Sequence, residues 1–154
     1  MKATDNTITD FGSVTRRQQI QTILNEHPLL HDGGYGEPRR RCTQSRTAKR
    51  AALLTPASVA TIDNITCWLA LWIQPIQTIN RRHTSYGLKH VYERRTGEYC
   101  SNGQFIVAAL IRGYEADLSR YNVSFAMSER SIRRAWDHAQ NTPIRWTVKH
   151  GETR

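Results

Sequence analysis

Seven consecutive apolar residues, Phe105 to Ile111 (FIVAALI), constrain this chain more than any other stretch. Ser101 and Gln104 precede them at capping-box spacing, which satisfies the free N–H groups at the start of a helix. Gly113 follows and ends the run. This spacing predicts a helix starting at about Asn102. A helix apolar on every face is stable only when other elements surround it. It is therefore expected to be the spine of a mainly α-helical domain.

Other segments supply the expected surroundings. Ile20, Ile23 and Leu24 recur at helical spacing behind a Thr15/Gln18 capping box, which predicts a helix from about Arg16 to Glu26. So short a helix must dock on something to be stable. Thr55 and Pro56 form a helix start, and the run Trp68 to Ile73 reads as its buried end before Pro75, with a buried strand as the alternative. Trp68 and Trp72 share one helix face, which suits packing, with stacking on nucleic acid as the alternative. Thr84 or Ser85 opens a helix containing Tyr86, Leu88, Val91 and Tyr92, closed by Gly97. Gly87 lies inside it at a cost of about 1 kcal/mol against alanine, so a close approach of another backbone is expected there. Residues Tyr121 to Met127 (YNVSFAM) read as a short strand or an extended segment. Ser128 then caps a last helix whose apolar stripe is Ile132, Ala135, Trp136 and Ala139. The tail TPIRWTVKHGETR reads as a short strand that then frays.

The stretch from His31 to Arg50 differs from all of these. It holds three glycines, a proline and no Val, Ile or Leu. Such a composition buries too little to offset its ordering entropy, so a flexible basic arm is expected. The organisation expected from sequence is thus an extension over 1–54 with one short helix and a basic arm, a helical core over 55–146, and a tail over 147–154.

Charge narrows the class of partner. The formal net charge is +9, which favours nucleic acid, an acidic protein surface or an anionic membrane. A membrane is not expected, because no apolar run approaches the roughly 18 residues that span a bilayer. The N-terminus has no apolar signal core, and Cys42, Cys67 and Cys100 are odd in number and widely spaced. Both point to a reducing cytoplasm. The arginines and lysines expected to touch a partner fall in three groups. The arm carries Arg39, Arg40, Arg41, Arg46, Lys49 and Arg50. The helix after the connector, with the residues that lead into it, carries Arg81, Arg82, Lys89, Arg94 and Arg95. The last helix carries Arg130, Arg133 and Arg134.

No catalytic constellation accompanies them. The thirteen Asp and Glu are scattered. His83, His90, His138 and His150 form neither HxxxH nor HExxH, and no CxxC pair or GxxxxGK[ST] loop occurs. Gly33 to Gly36 (GGYG) lack the helix signals that a phosphate loop needs. Cys100 near His90 is the one arrangement reminiscent of a nucleophile pair, and a semi-buried turn cysteine is the plainer reading. Neither a cofactor nor a metal is expected, and a binding protein is favoured over an enzyme.

The run RRHTSYGLKHVYERRTGEYCSNGQFIVAALIRGY, with the later NVSFAMSERSIR, resembles small proteins carried on bacterial plasmids, phages and integrative elements. The resemblance spans about Trp68 to Trp136, and the part up to about Leu54 lies outside it. It brings no catalytic assignment. It implies a mobile-element setting, in which small basic proteins bind DNA or block host defence complexes as anti-CRISPR proteins do. The expected function is a non-enzymatic accessory protein that binds DNA or RNA. An inhibitor of a CRISPR or other host defence complex is the alternative.

Overall fold

The computed structural model describes residues 14–141, with side chains to 138. The tail strand expected beyond Thr142, and the stripe position Ala139, lie outside what is described. The chain is mainly helical, with two short hairpins. In order these are α1 (Arg16–Glu26), β1 (Leu30–His31), β2 (Gly34–Tyr35), α2 (Arg46–Ala52), α3 (Pro56–Trp72), α4 (Ser85–Thr96), α5 (Asn102–Ile111), β3 (Ala116–Asp117), β4 (Ser124–Phe125) and α6 (Glu129–Asn141). Each hairpin is antiparallel; Leu30 pairs with Tyr35, and Ala116 with Phe125.

Helix α5 is the central element. Phe105, Ile106, Val107, Ala108 and Ala109 are fully buried. Helices α1, α3 and α4 pack around it. Leu110 and Ile111 are only half-buried, because the helix emerges from the core at its last turn. Both capping boxes form: Thr15 with Gln18 on α1, and Ser101 with Gln104 on α5. Thr55 and Thr84 cap α3 and α4, and Gly97 closes α4 in the left-handed conformation. Ser128 Oγ accepts the N–H of Ser131, 3.3 Å away, in the first turn of α6.

The segment 31–50 departs from the expected flexible arm. Its glycines serve a hairpin instead. The buried His31 ring accepts the Gly33 N–H at Nδ1 (3.1 Å) and donates from Nε2 to the Gly36 carbonyl (2.8 Å). Burial lowers the pKa of His31, which favours the neutral ring that this pair of bonds requires. Arg50 then ties the segment down. Its guanidinium donates to the carbonyls of Leu24 (2.6 Å), His27 (2.8 Å), Pro28 (3.0 Å) and Leu30 (2.7 Å). It thereby ties the end of α1 to the start of the hairpin. Arg50 is a structural clamp, not the surface contact expected of it. Ile20, Leu24, Leu30 and Leu53 belong to the same core cluster as α5. The boundary drawn after residue 54 therefore does not divide the packing.

The close backbone approach occurs at Gly103, not at Gly87. A Cβ on Gly103 would lie 2.1 Å from the His31 carbonyl oxygen and 2.6 Å from the Cα of Asp32. The Gly103 N–H donates to the Asp32 carbonyl at 2.7 Å, and Ser101 Oγ donates to Asp32 Oδ1 at 2.6 Å. A side chain on Gly87 would enter open space.

Two substitutions test this account. Gly103→Ala must push the β1–β2 turn off α5, and a loss of at least about 2 kcal/mol is expected in urea denaturation. Arg50→Ala should cost about 2–3 kcal/mol by stranding charge-assisted acceptors, with Arg50→Lys recovering only part because it lacks the fork. An unchanged midpoint for Arg50→Ala would return that residue to the surface.

Candidate nucleic-acid interface

Helix α6 packs on α4 and on the end of α3. Ile132 and Ala135 are buried there, but Trp136 is 41% exposed and is not the core residue expected from the stripe. Trp136 instead lies at the edge of this seat, with the guanidinium of Arg94 on α4 5.9 Å from its ring. Trp72, at the end of α3, is similarly enclosed by polar groups. Arg95 lies 5.3 Å and Arg134 5.9 Å from its ring centroid, and the His138 ring meets it edge-on at 4.9 Å. Arginine stacks well on indole because its weakly hydrated plane lies against the π-face. The two tryptophans thus order three arginines that the sequence presents simply as charge.

Beside them runs an open groove of about 1330 Å³, which includes Arg82, Arg130, Arg133 and Arg134 with Gln74 and Ser131 in its lining. Its acids are Glu129 and Asp137. Glu129 is already engaged: it accepts from Asn80 Nδ2 (2.9 Å), His83 Nε2 (2.8 Å) and Arg133 Nε (3.1 Å). The Asn80 bond first, with those of Arg133 and His83, lowers its carboxyl pKa to about 2, against the opposing effect of burial. It therefore stays ionised and fastens the connector before α4 to the first turn of α6. Arg134 also donates to the Trp72 carbonyl at 3.4 Å. The groove keeps a surplus of positive charge with its side chains partly pre-ordered.

The remaining expected contacts scatter. Arg39, Arg40 and Arg41 are exposed and, with Arg46 and Lys49, line a separate cavity of about 250 Å³ next to His31. Arg46 is paired with Glu37. Arg81 is paired with Asp117, whose carboxyl is held far below the usual range by Ser119 and by Arg81 itself. Lys89 leaves the set of expected contacts. It is 5% exposed, and its ammonium donates to Glu93 Oε1 (2.8 Å) and the Cys100 carbonyl (3.1 Å). The polar turn after α4 folds back over it, which helical spacing alone does not reveal.

The arrangement reminiscent of a nucleophile pair does not form. Cys100 is buried and its thiol is pushed up to about 12, by burial first and then by Glu93. His90 Nδ1 instead bonds Glu93 Oε2 at 2.9 Å. Among the described residues, no group of three or more His, Cys, Asp or Glu is placed to hold a metal ion. No helix among them is long and apolar enough to cross a membrane.

No protein-family model matches the sequence, and comparison with curated proteins and with solved structures finds no match.

Sequence reasoning missed Trp136 and His138 as parts of a surface, and for Trp72 it put packing first, with stacking as the alternative. The available signal was the company of arginines at 94, 95 and 134, but only the packing of α4 against α6 brings them together. The thiols offer a direct check on burial. At pH 8 Ellman's reagent should titrate the exposed Cys42 and Cys67 quickly, and Cys100 only after denaturation. Rapid modification of Cys100 in the native protein would mean that the turn over Lys89 is open.

Proposed function

We propose that this protein is a non-enzymatic nucleic-acid-binding accessory protein of a bacterial mobile element, acting in the cytoplasm on DNA or RNA. The carrying observation is that Arg82, Arg130, Arg133 and Arg134 line one groove in which Glu129 is already spent on internal bonds. A planar guanidinium grips two phosphate oxygens at once, and a row of them tracks a backbone. Arg94 and Arg95 extend the row along α4. Arg39, Arg40 and Arg41 offer a second, separate contact. The mobile-element setting rests on the resemblance of the Trp68 to Trp136 region.

Reversing charge at Arg130, Arg133 and Arg134 to Glu tests this reading. Ile132 and Ala135 hold α6 from the other side, so circular dichroism should show the helix retained. Affinity for a labelled 15-nucleotide probe should fall by orders of magnitude, and the dependence on salt should flatten by about one for each phosphate no longer bound. Wild-type protein that binds no nucleic acid at low salt, yet is captured by a purified CRISPR effector, would replace this reading with that of a defence inhibitor.

A further inference from the structure

The outer face of α4 contains a feature that the basic groove does not use. Tyr86, His90 and Arg94 are exposed one turn apart along it. Tyr86 is 51% exposed, and Tyr99, in the turn after the helix, is 78% exposed. Both rings lie against one ammonium: Lys89 Nζ is 5.4 Å from the Tyr86 centroid and 5.0 Å from that of Tyr99. The His90 ring meets Tyr86 at 90° with centroids 4.7 Å apart. These rings open onto a cleft of about 540 Å³ between α4 and the start of α5, lined also by Tyr121, Asn102 and Asn122.

Two observations say what the cleft can take. Its charges are Lys89, Glu93 and Asp32, and Lys89 is already bound to Glu93, so a phosphate gains nothing by entering. Asn102 is 6% exposed; its amide NH₂ donates to the Gly33 carbonyl and to Asn122 Oδ1, but its Oδ1 is buried without a partner. A buried acceptor left open calls for a donor. A neutral, planar ring with hydrogen-bond donors at its edge meets both conditions and suits the exposed faces of Tyr86 and Tyr99.

We propose that this cleft holds an unstacked nucleobase, so that the nucleic acid gripped by the arginines is single-stranded where it crosses α4. This rests on the function proposed above. Tyr86 and Tyr99 supply stacking surface, Asn102 and Asn122 face the base edge, and Arg94 leads the backbone from the cleft towards the groove beside α6.

The test uses the full chain and a labelled 15-nucleotide single strand of mixed, non-self-complementary sequence, compared with the same strand annealed to its complement. Fluorescence anisotropy should show the single strand binding at least about tenfold tighter than the duplex. Tyr86→Ala and Tyr99→Ala should each weaken it roughly fivefold to a hundredfold, and Tyr86→Phe should not. The salt dependence should stay unchanged in these variants, unlike in the arginine reversals, because stacking releases no counterions. Equal affinity for strand and duplex, or tyrosine variants that bind like wild type, overturns the proposal and leaves the arginine groove standing. Displacement of the strand by micromolar mononucleotide also overturns it, in favour of a free-nucleotide site. A wild-type protein that binds neither probe refutes the nucleic-acid reading itself.

Discussion

The contact between the first turn of α5 and the β1–β2 hairpin governs the rest of the structure. Helix α5 needs cover on every side, and its N-terminal end is covered by backbone. Gly103 lies so close to His31 and Asp32 that no side chain fits. The Gly103 N–H and the Ser101 hydroxyl both bond Asp32, while Asn102 bonds the Gly33 carbonyl. The hairpin thus finishes the cap that Ser101 and Gln104 begin. Its own polar groups are satisfied in turn by His31, Arg50 and α5, which is how so glycine-rich a stretch becomes ordered.

The consequence is a division of labour among the cations. Those that complete the fold are buried or half-buried and have several acceptors: Arg50 takes four carbonyls and Lys89 takes a carboxylate and a carbonyl. Arg133 and Arg134 on α6 remain at the surface, each with a single acceptor, and Arg134 lies beside the Trp72 ring. Charge alone does not separate the two kinds. The number of acceptors within reach does, and that number depends on which chain ends and turns fold back upon the cation.

Helix α4 joins these regions. Its inner face, Leu88, Val91 and Tyr92, meets the core. Its end carries Arg94 and Arg95 to the tryptophans of α6 and α3, and its outer face carries Tyr86 and His90 to the cleft. A single rigid helix therefore sets the spacing between the groove and the aromatic cleft, and both move with any change in how α4 packs on α5.

Local rules made much of this legible. Side-chain caps at Thr15, Thr55, Thr84, Ser101 and Ser128, the stop at Gly97 and the apolar run at Phe105 depend on residues within four positions of one another, so the sequence itself determines α1, α3, α4, α5 and α6 and the centrality of α5, but α2 and the β1–β2 hairpin read as a flexible arm. Interactions across long separations escaped it. Arg50 reaches back more than twenty residues, Gly103 meets residues about seventy positions away, and Arg94 finds Trp136 only because α4 and α6 lie side by side. Helical periodicity reports which face is apolar but not which turn will lie over it. For that reason Lys89 reads as surface and is buried, and Trp136 reads as core and is exposed. Sequence determined five of the six helices and the net positive charge. Tertiary packing decided which charges complete the fold and which stay at the surface, because that choice depends on the desolvation of groups brought together only when the chain closes on itself.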